Sequence, residues 1–276
     1  MLRDIKIGFI GSGVMAEAMI KGLLDKALLP AGHILASDVR PERSDEMVQR
    51  YRIQVTQDNR QAAAHGDIVV FAVKPQIMAE VLAELGSHTI RPDALVLSIV
   101  AGVTIARLSK ALEHELIVRV MPNTPAQVGM GMSVWTATPA ATEAQRGQAR
   151  AMLGALGEEL YVKHEDYLDM ATALSGTGPA YIFLVMEALV DAGVHLGFSR
   201  HVAEQLVVQT MRGSVEFART SRMHPAVLRN MVTSPGGTSA EALYQLEKGG
   251  LRTVISKAVW AAYQKSRFLG GLNSDS

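Results

Sequence analysis

The chain has 276 residues, 48% of them apolar, with 27 basic and 27 acidic side chains, 8 histidines and no cysteine. Zero net charge argues against nucleic acid as the main partner, and the lack of cysteine excludes disulfides, thiolate catalysis and cysteine metal sites. The histidines are scattered without H-x-x-x-H spacing, so no metal is expected, and the length predicts two domains.

Met1-Leu-Arg-Asp-Ile-Lys6 leads straight into a strand, leaving no space for a signal peptide. No apolar run reads as long enough to span a membrane, so a cytoplasmic protein is expected. Ile5 to Ile10 is a short β-branched strand, followed by a glycine-rich turn and an amphipathic helix with Met15, Met19 and Leu23 on one side. Gly11-x-Gly13-x-x-Ala16 matches the dinucleotide fingerprint: Gly11 for the tight turn, Gly13 for close approach of a pyrophosphate, Ala16 for close helix–strand packing. A second strand, Ile34 to Asp38, and a third, Asp67 to Val73, give that pattern its βαβ context. Asp38 ends the second strand where a carboxylate accepts from a ribose 2′-OH and favours NADH. Arg40 and Arg43 nearby suit the 2′-phosphate of NADPH, which is the expected cofactor, with NADH as the alternative.

Ala72-Val73-Lys74-Pro75 ends the third strand, at the carboxyl edge where ligands bind in such sheets. Leu95 to Val100 and Leu116 to Met121 read as further strands, and Ser133 to Thr136 and Glu159 to Val162 as short edge strands. Between them, the two prolines of Val120 to Pro125 stiffen a loop in which the Asn123 amide is suited to orienting a nicotinamide carboxamide.

Strand signals stop near Tyr161 to Tyr167. Pro179 then opens a helix with Tyr181, Leu184, Val185, Ala188, Leu189 and Ala192 at helical spacing, and the glycines of Leu174 to Tyr181 read as a flexible turn before it. Ser199 to Arg219, Pro225 to Met231, Thr238 to Lys248 and Leu251 to Leu269 continue the helical pattern. The expected fold is α/β: a Rossmann-type doubly wound sheet over 1–163, then an all-α domain over 164–276. So short and apolar a helical domain is expected to dimerise.

The densest signal lies in Met231 to Glu247. Pro235, Gly236 and Gly237 make a turn into a helix starting at Thr238 or Ser239, whose free N–H groups suit a carboxylate or phosphate. The competing interpretation is plain capping, because Thr238-Ser239-Ala240-Glu241 also fits the capping box.

Together, Ile7 to Ala16, Phe71 to Pro75, Arg119 to Pro125, Leu174 to Tyr181 and Thr233 to Thr238 resemble the pyrroline-5-carboxylate reductase family in order and spacing, over nearly the whole chain. The resemblance implies reduction of the cyclic imine L-1-pyrroline-5-carboxylate to L-proline by NADPH or NADH, the last step of proline biosynthesis. It also implies dimers through the C-terminal helices that assemble further, often to decamers. It puts the pyrophosphate on Gly11, Ser12, Gly13, Val14, Met15 and Ala16, and Ser37 and Asn59 by the adenosine ribose. Ala72 to Pro75 lie along the cofactor. Ser234, Gly236, Gly237, Thr238 and Ser239 hold the substrate carboxylate, with the Ser239 or Thr238 hydroxyl bonding the ring nitrogen. Many members carry threonine at Ser239. A β-hydroxyacid dehydrogenase is disfavoured, since Gly193 to Arg200 lacks the lysine and asparagine expected there. A general imine reductase and a non-catalytic dinucleotide sensor are the remaining rivals.

Overall fold

The computed structural model describes residues 2–272; Met1 and the end of the expected second domain, 273–276, lie outside the described residues. The first half alternates strand and helix: β1 (Ile7–Ile10), α1 (Val14–Asp25), β2 (Ile34–Ser37), α2 (Pro41–Tyr51), β3 (Gln54–Thr56), α3 (Asn59–His65), β4 (Ile68–Phe71) and α4 (Met78–Leu85). It continues through β5 (Leu95–Ser98), α5 (Ile105–Leu112), β6 (Ile117–Met121), β7 (Gly131–Ala137), α6 (Glu143–Gly154) and β8 (Gly157–Tyr161). Helices alone follow: α7 (Tyr167–Ala171), α8 (Gly178–His195), α9 (Arg200–Ser221), α10 (Pro225–Met231), α11 (Thr238–Lys248) and α12 (Leu251–Leu272).

The strands form one sheet in the order β3-β2-β1-β4-β5-β6-β7-β8. All neighbours pair in parallel except β6 and β7. Parallel strands covered by helices on both faces are buried throughout, which is why β1 and β4 are apolar along their length and β5 up to Ser98. Alternation then divides each strand between two cores. In β4, Ile68 and Val70 join Phe9, Met19, Leu23 and Trp135 on one face, while Val69 and Phe71 join Ile10, Met78, Val96 and Leu108 on the other. The chain reverses its winding between β1 and β4, so a crevice opens at their carboxyl ends.

Three local expectations need correction. The strand ending in Phe71 is the fourth, because the edge strand β3 has only three residues, none buried, and so carries no apolar pattern. β7 is an interior strand between β6 and β8, with Trp135 fully buried and its indole N–H donating to Glu159. Leu174 to Tyr181 is helical rather than a flexible turn: Thr172–Gly176 forms one π-helical turn leading into α8. Hydroxyls explain that turn. The Thr172 carbonyl accepts from Thr177 N at 2.7 Å and Thr177 Oγ1 at 2.8 Å, and Ser175 Oγ donates to Ala171 O at 3.0 Å.

By compactness the chain forms two units: one runs to Thr177 and takes up the chain again from Ala262, and the other is Gly178–Ala261. The expected division at 163/164 follows element type instead. In the second unit α8 and α9 pack closely, since a Cβ on Gly193 would lie 3.0 Å from Ala203 Cβ. Among its described apolar residues only Val190 and Ala203 are buried, whereas Ile182, Phe183, Leu184, Leu189, Leu206, Val215 and Val254 are exposed. This also corrects the expectation that no apolar run reaches membrane-spanning length. The helical stretch Tyr167–His195, with a mean hydropathy of 1.4 in its most apolar window, is long and apolar enough by length and composition.

Candidate active site

The turn between β1 and α1 has the geometry its glycines predict. Gly11 has φ +91°, and a Cβ on it would lie 2.9 Å from Val73 Cγ1 and 3.0 Å from Ala72 O, so only glycine fits. Gly13 is the N-cap of α1, with nothing within 4 Å of where a Cβ would point. The N-terminus of α1 therefore meets open space over a side-chain-free residue, and its first-turn N–H groups fit a pyrophosphate. Ala16, fully buried, allows the helix to sit against the sheet, and Val14 stays exposed.

Asp38 is committed inward. Its carboxylate accepts from Ser12 Oγ at 2.9 Å and Ser12 N at 3.3 Å, and from Arg40 N and Nε at 3.1 and 3.0 Å. Burial pushes this carboxyl up, and the bonds from Arg40 and Ser12 more than offset it, holding it below the usual aspartate range. Arg43 departs from expectation. Its guanidinium bonds Ser12 O at 2.7 Å, Glu17 at 2.5 Å and Glu46 at 2.6 Å, so it is engaged beneath the turn rather than presented for a 2′-phosphate. Arg40, with a side chain 60% exposed, is the cation that faces out.

Ser37 is buried, and its hydroxyl donates to Asn59 Oδ1 at 2.7 Å, with Phe9 O at 3.2 Å as a second acceptor in reach of the same proton; Asn59 Nδ2 in turn donates to Glu84 at 2.7 Å. At the end of β4, Lys74 and Pro75 are exposed. Ala72 and Val73 line a cleft of about 270 Å³ together with Met15, Ile99, Met121 and Asn123. Ile99 and Met121 were not anticipated; their signal was position, at the carboxyl ends of β5 and β6. The Asn123 amide is already used on both sides. Oδ1 accepts from Met132 N at 2.8 Å, and Nδ2 donates to Ser175 O at 3.1 Å, tying the strand-end loop to β7 and to the π-helical turn.

In the second unit, Ser234-Pro235-Gly236-Gly237 forms a β-turn with Gly236 at φ +71° and Gly237 N donating to Ser234 O at 3.0 Å. A Cβ on Gly237 would lie 2.6 Å from Ser234 Oγ, so a side chain there would displace the Ser234 hydroxyl from the turn. Gly237 itself is the N-cap of α11, with no side-chain cap, and the capping box does not form. Thr238, Ser239 and Glu241 are thereby the first, second and fourth helical residues, out of register for capping. Among the described residues, the backbone N–H groups and hydroxyls of Thr238 and Ser239 have no acceptor, which is what an anion cradle requires.

Comparisons with known proteins agree over both halves of the chain. The family profile described as pyrroline-5-carboxylate reductase dimerisation matches residues 165–269, and one described as NADP oxidoreductase coenzyme F420-dependent matches residues 6–102. The pyrroline-5-carboxylate reductase of Synechocystis sp. is 40% identical over 97% of this chain and 99% of its own, and that of Pseudomonas aeruginosa is 40% identical over 95% of each. Among solved structures, the Plasmodium falciparum pyrroline carboxylate reductase with NADP bound is 34% identical with a TM-score of 0.87, covering 97% of this chain and 99% of that one. The Coxiella burnetii pyrroline-5-carboxylate reductase is 37% identical with a TM-score of 0.86, covering 96% and 98%. With relatives this similar along nearly its whole length, and with the glycine turn and the uncapped Gly237 cradle both in place, the chain belongs to the pyrroline-5-carboxylate reductase family.

Proposed function

We infer that this protein reduces L-1-pyrroline-5-carboxylate to L-proline with NAD(P)H. The observation that carries the reading is the start of α11, where, among the described residues, the N–H groups and hydroxyls of Thr238 and Ser239 are left without partners at a helix N-terminus that suits a carboxylate. When bound, the reduced nicotinamide supplies hydride to the carbon of the C=N bond. The chain's own part is to hold and orient. The Thr238 and Ser239 N–H groups, with Ser234, Gly236 and Gly237, bind the substrate carboxylate; the imine nitrogen carries one proton taken from solvent, so that hydride alone completes the amine, and a Ser239 or Thr238 hydroxyl oxygen accepts from that N–H and orients the ring. Gly11 to Ala16 bind the pyrophosphate, Ser37, Asp38, Arg40 and Asn59 border the ribose, and Ala72 to Pro75 with Asn123 wall the cleft beside it. Metal plays no part in this scheme.

NADPH is the preferred cofactor in this reading, supported by the exposed Arg40 side chain and by the occupation of the Asp38 carboxylate by donors from Ser12 and Arg40. Dimerisation runs through the helices of 164–276, supported by the exposed apolar side chains of α8, α9 and α12, and further assembly to decamers belongs to the same reading. A cytoplasmic location is consistent with a sequence that forms no disulfide. The deciding experiment follows oxidation of NADPH and NADH by the purified protein with and without L-1-pyrroline-5-carboxylate and identifies the product. Turnover to proline is expected. No turnover with either cofactor by folded, cofactor-binding protein overturns the reading, and equal turnover of imines without a carboxylate favours a general imine reductase.

A further inference from the structure

Ser12 is gripped from two sides. Its N–H and hydroxyl donate to Asp38, while its carbonyl accepts from Arg43 Nε at 2.7 Å. Two successive peptide planes of the glycine turn are thus held by side chains from beyond β2. The second grip has a directional consequence. In a planar trans peptide the N–H points opposite to the C=O, so a guanidinium holding the Ser12 carbonyl aims the Gly13 N–H away from itself.

Arg43 is itself held firmly. Its other two nitrogens bond Glu17 at 2.5 Å and Glu46 at 2.6 Å, and Glu17 accepts in addition from Arg50 and from the Tyr51 hydroxyl, each at 2.6 Å. The Arg43 side chain is only 12% exposed, and all three of its nitrogens already donate. Glu17 lies on α1, Arg43, Glu46, Arg50 and Tyr51 on α2, so the cluster braces against its neighbour the helix whose N-terminus would meet the pyrophosphate.

We propose that Arg43 is a positioning residue for dinucleotide binding, acting through the Ser12 carbonyl to preset the pyrophosphate turn rather than by touching the 2′-phosphate. This rests on the reading that Gly11 to Ala16 hold the pyrophosphate. It implies that Arg43 serves NADH and NADPH alike, because both carry the pyrophosphate.

The test is titration calorimetry of wild type, Arg43→Gln and Arg43→Lys with NADPH, NADH and adenosine 2′-monophosphate, which has the 2′-phosphate but no pyrophosphate. Arg43→Gln is expected to bind both dinucleotides about tenfold more weakly, the loss of one charge-assisted hydrogen bond, and the monophosphate as wild type does. Arg43→Lys keeps a cation for the carboxylates but not the planar fork that also reaches Ser12. It is expected to show the same pattern and carries the test if the glutamine variant fails to fold. Weaker binding of NADPH and the monophosphate with NADH unchanged overturns the proposal, making Arg43 a direct 2′-phosphate ligand. Unchanged affinity for all three in either variant overturns it as well. Failure of the wild-type protein to bind either dinucleotide overturns instead the cofactor reading on which it rests.

Discussion

Gly176 stands so close to Met121 that a Cβ on Gly176 would lie 2.5 Å from the Met121 methyl carbon. Met121 lines the cleft beside Ala72 and Val73, so the π-helical turn sets one wall of that cleft through this contact. Gly176→Ala must push the methionine end aside, at a cost of about 1 kcal/mol because that end is flexible. We expect a small drop in thermal midpoint with a clear rise in KM for NAD(P)H. An unchanged KM would mean that the wall does not touch the cofactor.

The Ser239 hydroxyl makes no hydrogen bond among the described residues, so its loss has little to cost in stability. Ser239→Ala is expected to keep the wild-type melting temperature and to lose roughly tenfold or more in kcat/KM for the imine, the effect of one hydrogen bond to a charged group. Steady-state kinetics with the imine varied checks this, and wild-type kcat and KM would remove the hydroxyl from the mechanism. Ser239→Thr, which keeps the hydroxyl, is expected to remain active.

Arg40 carries the cofactor preference if it receives the 2′-phosphate. Arg40→Ala is expected to lower the ratio of kcat/KM for NADPH over NADH about tenfold, with NADH little affected. Side-by-side kinetics with both cofactors decides it; a parallel fall for both would assign Arg40 to Asp38 and the turn alone.

Asp67 links the start of the sheet to Arg91, accepting from Lys6 N at 2.7 Å and Arg91 Nη2 at 2.5 Å. Burial raises its pKa, and these two bonds with the nearby charges outweigh that, leaving it below the ordinary value. A depressed folded-state pKa contributes stability above the unfolded value, about 3.9, and that contribution fades as pH falls through the folded value. Urea unfolding of wild type and Asp67→Asn should therefore differ most above about pH 4 and converge in more acidic solution. A difference that persists unchanged to low pH would rule out ionisation as its source.

Leu184 is 66% exposed on α8 in the single chain. A charge placed there would be desolvated if this face meets a second copy, so Leu184→Glu is expected to shift the protein towards monomer in sedimentation velocity. An assembly state identical to wild type would move the interface elsewhere.

Each of the two candidate binding turns was legible locally because positive φ is a local requirement. Gly11 and Gly236 adopt positive φ, and Gly237 packs on Ser234 three residues away, all within single turns. The strand–helix alternation was legible because strands buried on both faces are apolar at most positions. What escaped depends on partners distant in sequence. Nothing near Arg43 announces that its guanidinium will meet Ser12 and Glu17 across the first βαβ unit, so its charge alone suggested a phosphate ligand. Asn123 read as a free amide until Met132 and Ser175 closed on it. The Thr238-to-Glu241 pattern fitted a capping box, yet the helix begins at Thr238 because the preceding β-turn fixes its entry at Gly237, which leaves the hydroxyls unused. Sequence by itself determined where the chain is apolar and where glycine frees the backbone for a turn, because hydropathy and φ preference belong to each residue. Tertiary structure alone decided which polar groups are spent internally and which remain open to ligands, because hydrogen-bond partners are chosen by proximity in space.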